Sequence, residues 1–359
     1  MFSISESIYN VLKPYYKNNG IASISLNDSQ QVKINEVKSK IESSYYRLEK
    51  NDCLCKNCFE KEDILIAEKD RYGFNISTVI CGSCGLVRCG EVFDKKSLTE
   101  FYINDYRSIY LTPDITLEKF FNDQRKHGEE FYLFLEKYID LEKKLCIFDI
   151  GCGAGGIMYE FFTKGHTCIG FDYNEIYMEF GKQKGLRINN GAILEAGFED
   201  KCDLVLLSHV MEHFLDPISE LRKIIDYVNI NGYLLIEVPG IVESFKAPVN
   251  PIGYFQNAHI FSFYEDFLSA FFRSLGLKVI YSDDKALFLL KKEREVDFEV
   301  TLDCLSLKHY PQKIKQIFFQ AYLKHNFFLT KARWIELSVR ILEVTGLKST
   351  IKNLLKNKD

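Results

Sequence analysis

The sequence predicts an α/β fold built on a parallel, nucleotide-binding sheet, and three observations in it lead there. Residues 145 to 156, Leu-Cys-Ile-Phe-Asp-Ile-Gly-Cys-Gly-Ala-Gly-Gly, read as a buried strand that ends on an acid, Asp149, and breaks into a glycine turn before a helix. A helical stretch, Ile157 to Lys164, leads to a second strand, Thr167 to Phe171, which stops at Asp172. An acid at the tip of the second strand is where a Rossmann-like fold holds the ribose hydroxyls of an adenosine. Two more apolar runs, Asp203 to Leu207 and Tyr233 to Val238, flank an amphipathic helix, Ile218 to Val228, and a turn at Asn231-Gly232.

Glycines at 151 and 153 let the backbone approach a ligand with no Cβ in the way, and the helix behind them turns its N-terminal amides toward negative charge. With Asp149 just before it, the turn resembles motif I of the class I S-adenosylmethionine (SAM) dependent methyltransferases, D/E-x-G-x-G-x-G, matched by Asp149, Gly151, Gly153 and Gly155. Downstream, Glu212-His213-Phe214-Leu215-Asp216-Pro217 is similar to the EH-x-x-DP signature that follows strand four in many small-molecule methyltransferases. The resemblance implies a seven-stranded class I methyltransferase sheet with SAM as cofactor. It carries cofactor binding onto Asp149, Gly151, Cys152, Gly153, Gly155, Asp172, Tyr173, Ser208 and His209. The sheet is expected to close with a helix, Phe263 to Leu275, and an antiparallel hairpin, Lys278 to Tyr281 and Ala286 to Leu290, around Ser282-Asp283-Asp284.

Ahead of the sheet, residues 29 to 43 read as a polar helix and Tyr45 to Leu48 as a short strand. The pairs Cys55-Lys-Asn-Cys58 and Cys81-Gly-Ser-Cys84 stand 22 residues apart, the spacing of a zinc ribbon in which two knuckles converge on one tetrahedral ion. Cys55, Cys58, Cys81 and Cys84 are the expected ligands, with Cys53 competing for the first place and Cys89 spare. Four protein ligands leave no open position, so this zinc would be structural. The runs Asp70-Arg71-Tyr72-Gly73, Phe101-Tyr102 and Asp105-Tyr106-Arg107 add a resemblance to methyltransferases of bacterial surface-polysaccharide gene clusters that carry a small zinc module before the catalytic domain. From Asp114 to Ile139 the pattern is helical, and Gln124, Arg125, His127 and Gly128 approach strand one, as solvated residues or cofactor contacts.

Residues 241 to 258, with Pro248, Pro251, Gly253, Tyr254 and Phe255, are the candidate lid, because ligands bind at the carboxyl edge of such a sheet. His209, His213 and His259 fall at the same edge and are the groups able to take a proton near neutral pH. His213 or His259, with Glu212 beside it, is the expected catalytic base. Beyond the sheet, residues 311 to 324 and 333 to 356 read as two helices, the second with Trp334, Leu337, Ile341, Val344 and Leu347 in a stripe that suits packing on the domain or a second subunit.

The 359 residues divide as a helical segment (1–50), the zinc module (51–110), the methyltransferase domain (111–292) and a basic helical extension (293–359). The net charge is -4, but residues 306 to 359 hold eleven Lys or Arg against three acids, +8, which leaves -12 on the rest. A basic tail on an acidic body invites an anionic surface as partner, or forms a solvated helical face. Eleven cysteines with no export signal point to a reducing compartment, the cytoplasm. The expected function is O-methylation of a sugar hydroxyl in surface-glycan or nucleotide-sugar metabolism. Its rivals are C-methylation of a nucleotide-linked keto-sugar, RNA methylation, disfavoured by the acidic body and the lack of an Asn-Pro-Pro-Tyr motif, and an inactive scaffold.

Overall fold

The computed structural model describes residues 17–55, 62–110, 116–191, 193, 200–246, 250–295 and 307–344, with side chains up to Lys331 in the last segment. Helix α1 (Asp28–Glu42) opens with a reciprocal cap, in which the Asn27 side chain accepts from the Gln30 amide and the Gln30 side chain accepts from the Asn27 amide. The strand expected at 45–48 is β1 (Leu48–Lys50) instead, because Tyr46 turns inward and donates to the buried carboxylate of Asp105. Strands β2 (Ile64–Ala67), β3 (Thr78–Ile80) and β4 (Val87–Cys89) form an antiparallel ribbon, and β5 (Glu91–Phe93) pairs with β1. Helices α2 (Lys95–Asn104) and α3 (Tyr106–Tyr110) carry the chain from this module to the large sheet.

Helix α4 (Leu117–Leu135) precedes β6 (Cys146–Ile150), α5 (Gly156–Thr163), β7 (Thr167–Asp172), α6 (Glu175–Gln183), β8 (Arg187–Asn190), β9 (Cys202–Ser208), α7 (Pro217–Asp226) and β10 (Val228–Glu237). The turn expected at Asn231-Gly232 lies inside β10 as an irregularity in register, with Asn231 left-handed. After a short helix α8 (Ile241–Ser244), strand β11 (Phe261–Ser262), helix α9 (Glu265–Ser274) and the hairpin β12 (Lys278–Ser282) and β13 (Leu287–Lys291) complete the fold. The large sheet runs β12-β13-β10-β9-β6-β7-β8, with β6 to β10 parallel and β13 antiparallel between β10 and β12. Its topological switch point lies between β6 and β9, and a ligand is expected at the carboxyl ends of those strands.

β11 does not join the large sheet. It pairs antiparallel with β4, Phe261 opposite Arg88 and Ser262 opposite Val87, so the segment after the lid becomes the fourth strand of the N-terminal ribbon. One hydrophobic core accordingly runs from Ile34 and Phe74 through Phe101 to Phe148 and Phe267.

The C-terminal segment corrects the reading of two helices: residues Tyr310–Val344 form one, α10. The intervening residues 325 to 332 contain neither glycine nor proline, so nothing stops the first helix. Its start packs on the cysteine module, where Tyr264 stacks on Tyr310 and donates to the Cys84 carbonyl. The stripe from Trp334 to Val344 falls where side chains are not described, and residues 345–359 lie outside the described residues. No helix among the described residues is long and apolar enough to cross a membrane.

Candidate active site

The turn after β6 has the geometry of a cofactor cradle. Gly151 and Gly153 have φ of 72° and 57°, where a side chain is strained, and a Cβ on Gly151 would lie 2.5 Å from Val210. Asp172 at the end of β7 accepts from the amides of Gly153 (2.8 Å) and Asn174 (2.7 Å), which leaves carboxylate lone pairs for a further donor such as a ribose hydroxyl. Arg107 lies 4.0 Å from it and over the Tyr177 ring. Asp149 is buried, and its Oδ2 has no hydrogen-bond partner. Burial, with the charge of Asp172 adding, pushes its carboxyl up to about 8. A buried acid with an orphan oxygen suits a cationic ligand, and SAM supplies cationic charge from an ammonium and a sulfonium. Cys152 is buried behind the turn, and Tyr173 is exposed at its rim.

Of the helix residues ahead of strand one, Gln124 holds the turn itself, donating to the Cys152 carbonyl (3.0 Å) and accepting from the Gly156 amide (3.3 Å). Arg125 pairs with Glu160 at 2.8 Å. Gly128 lets α4 close on α5, since a Cβ there would sit 2.5 Å from the Ile157 carbonyl oxygen.

At the ends of β9 and β10 the expected base candidates converge. Glu212 is fully buried with neither carboxylate oxygen hydrogen-bonded, and it faces His209 at 3.6 Å, His213 at 3.9 Å and His259 at 4.0 Å. Burial opposes its charge, but the three imidazoles outweigh burial and hold its carboxyl below the usual range. His213 Nδ1 lies 2.7 Å from the Ala258 carbonyl oxygen, which can only accept, so Nδ1 carries the proton. The Tyr102 hydroxyl, 3.0 Å away, accepts from the same N–H. Nε2 therefore has the free lone pair and faces Glu212. His259 differs: burial, then the charge of His213, push it down to about 3, so it stays neutral.

A second carboxylate, Glu237, was not singled out from the sequence. It accepts from Ser208 Oγ at 2.8 Å, meets His127 Nε2 at 2.7 Å and lies 3.5 Å from His209. Its signal was its place, the last residue of the strand beside Ser208 and His209. His209 is left-handed, with φ of 55°, and its ring stands between the two acids.

In the module, Cys53, Cys55, Cys81 and Cys84 offer sulfurs that all lie within 4.8 Å of one another. Cys53 and Cys84 are 3.6 Å apart, against the edge of about 3.8 Å for a tetrahedral site with Zn–S near 2.3 Å. The amides of Ser83 and Cys84 both point at Cys81 Sγ at 3.4 Å, as in a knuckle that stabilises thiolate. This donor set fits zinc. Cys55 takes part in a disulfide here, so a four-sulfur site requires that bond reduced. The sequence assigned Cys58 and set Cys53 against Cys55 for the first place; Cys58 lies outside the described residues, while Cys53 and Cys55 are both in the cluster. Cys89, the expected spare, is buried near the carbonyls of Gln256 and His259.

Three outcomes follow from this geometry. Asp172→Asn should weaken SAM affinity roughly ten- to a hundredfold in calorimetry, since charge-assisted bonds to the ribose are lost; unchanged affinity would remove Asp172 from the cofactor site. Purified, reduced protein should hold one zinc in the module, and Cys81→Ser should lose both the metal and thermal stability; full zinc in that variant would defeat the assignment. The His127–Glu237 pair should be visible in the pH dependence of melting. Its hydrogen bond to Glu237 raises His127 and the pair lowers Glu237 despite burial. The stabilisation is thus complete between the ordinary Glu and His values, roughly pH 4.5 to 6.5. It is lost as pH rises through the raised histidine value or falls through the lowered glutamate value. The melting difference between wild type and His127→Gln should shrink on both sides, and a pH-independent difference would contradict the pairing.

Residues 122–282 match a family described as a methyltransferase domain, a span somewhat short of half the chain. A search of curated proteins finds no match. Among solved structures, the chain is similar to the PH0226 protein of Pyrococcus horikoshii OT3, at 15% identity over 54% of this chain and 99% of that one, with a TM-score of 0.40. It is also similar to the 1,6-didemethyltoxoflavin-N1-methyltransferase of Burkholderia thailandensis, at 16% identity over 56% and 87% with a TM-score of 0.39. A third is the magnesium protoporphyrin IX methyltransferase of Synechocystis PCC 6803, at 15% over 55% and 98% with a TM-score of 0.39. With the sheet order and the acid-and-glycine turn in agreement, residues 122–282 form a methyltransferase domain.

Proposed function

We propose that the enzyme O-methylates a sugar hydroxyl, in surface-glycan or nucleotide-sugar metabolism in the cytoplasm, with His213 as the base. The observation that carries this reading is the buried, unbonded carboxylate of Glu212 facing His213 at the sheet edge where cofactor and acceptor meet. SAM supplies the methyl group already activated on a sulfonium, so the protein's part is to orient the acceptor, exclude water and accept a proton. The Ala258 carbonyl fixes the His213 tautomer, Nε2 takes the hydroxyl proton, and Glu212 stabilises the imidazolium that results. His259 is too weak a base for that step and acts as a neutral partner, its ring edge-on to His213 at 4.9 Å.

Tyr102, Tyr106 and Tyr110 support a sugar as acceptor. Tyr102 tilts against Tyr106 at 4.8 Å and Tyr106 stacks on Tyr110 at 4.4 Å beside His213, an aromatic wall against which the C–H face of a sugar can pack. The structural zinc would hold the module that carries this wall, and takes no part in the proton step.

The test is SAM consumption against nucleotide sugars and purified glycans, with the methylated atom identified by NMR. On the acceptor so found, His213→Ala should bind SAM normally and lose turnover roughly a hundredfold or more. His259→Ala should mainly alter acceptor affinity. If His213→Ala keeps near-native turnover, proton removal does not depend on it; a methyl group found on carbon would overturn O-methylation.

A further inference from the structure

Two sequence motifs, Asp70-Arg71-Tyr72-Gly73 and Asp105-Tyr106-Arg107, take no direct part in the proton chemistry above, yet the fold brings them to the same site. Asp70 pins the first motif to the C-terminal end of the candidate lid, residues 241–258. Its carboxylate accepts from the amides of Tyr72, Phe74 and Asn257, at 2.9, 2.9 and 3.2 Å, and the Arg71 amide donates to the Phe255 carbonyl at 2.8 Å. With its oxygens engaged by three amides, Asp70 is committed to the backbone rather than to the neighbouring guanidinium.

The Arg71 guanidinium lies over two tyrosine rings, 4.8 Å from Tyr72 and 5.4 Å from Tyr110, and donates through Nη2 to the Tyr72 hydroxyl at 2.7 Å. Its Nε is buried with no hydrogen-bond partner. At the hydroxyl end of Tyr110 lies Asn257, only 4% exposed. Its Oδ1 accepts from the Tyr110 hydroxyl at 2.8 Å, which orients the amide, and Nδ2 has no partner. The adjacent Gln256 is equally buried, with an orphan Oε1. Buried donors without acceptors are costly, and such groups in a native fold need an explanation. Here a cationic donor and an amide donor both contact one ring, and that ring stacks on Tyr106 next to His213.

We propose that Arg71 and Asn257, which both contact Tyr110, bind an anionic oxygen group of the acceptor, a phosphate or a carboxylate, and thereby direct its hydroxyl toward His213. The proposal rests on the acceptor lying along the tyrosine wall as described above. A guanidinium and an amide both match oxyanion lone pairs, and an anchor remote from the reacting hydroxyl contributes the orientation that methyl transfer requires. Gln256 Oε1 would accept from a neighbouring hydroxyl of the same ligand.

The experiment measures binding rather than turnover, so its result is independent of whether His213 is the base. Protein with reduced module cysteines, loaded with S-adenosylhomocysteine, is titrated with inorganic phosphate, glucose 1-phosphate, glucuronate and, as the neutral control, glucose. Wild type should bind at least one anionic probe more tightly than glucose, and this preference should weaken with salt. Arg71→Gln should lower that affinity roughly ten- to a hundredfold while leaving S-adenosylhomocysteine affinity unchanged. Asn257→Asp keeps the acceptor for Tyr110 but sets a buried negative charge in place of the orphan donor, so it should abolish anion binding and lower the melting temperature while leaving S-adenosylhomocysteine binding intact. Preference for the phosphates would identify a phosphate ester as the anchor, and preference for glucuronate an acidic sugar. If wild type binds all four probes equally, or if neither variant reduces anion binding, the subsite does not exist.

Discussion

Four carboxylates, Asp149, Asp172, Glu212 and Glu237, gather at one edge of a parallel sheet, and the site is shaped by the need to neutralise them. Burying like charges together is unfavourable unless opposite charge or hydrogen bonds arrive with them. The structure meets this in two ways. Glu212 and Glu237 are surrounded by His127, His209, His213 and His259 from three separate parts of the chain, and both acids stay ionised. Asp149 has no such cation, so burial and Asp172 push its carboxyl up. The histidine side thus has its partners built in, with His127 and His209 held toward the charged form, whereas the glycine side suits a cation brought from outside. That division matches a reaction in which the positive cofactor enters on one side and a proton leaves on the other.

Much of the large sheet was legible because its signals are local. Strand, turn, helix and acid follow one another from Leu145 to Asp172, and glycines at forced positive φ cannot be replaced by other signals. The expected ends of the closing hairpin fall within two residues of the observed ones. Errors came where a local signal was outweighed by context. Asn231-Gly232 reads as a turn but is absorbed into a strand held on both sides, and residues 325 to 332 look like a break only because their apolar pattern lapses.

The site was legible in part, for a related reason. His209, His213 and His259 could be placed at the sheet edge from topology, and they do meet Glu212 there. The contacts that give each a distinct role come from far along the chain: Tyr102 to His213, Ala258 to His213, His127 to Glu237. No periodicity or spacing encodes pairings between residues 45 to 111 positions apart. Glu237 was missed because the final polar residue of a buried strand reads as a strand end and nothing more.

The pairing of β11 with β4 bears on how the chain is made. The small ribbon begins near residue 64, but its fourth strand is 261–262, so nearly two hundred residues must leave the ribosome before that sheet is complete. Until then β4 presents an open edge beside Cys81 and Cys84, and contacts of such sequence separation form slowly. The nascent module therefore carries an edge that stays exposed until β11 has been made. A fragment ending before β11 would keep that edge uncovered and tend to associate through it. A gene truncated or divided at the apparent domain boundary would then yield two sticky halves instead of two independent proteins.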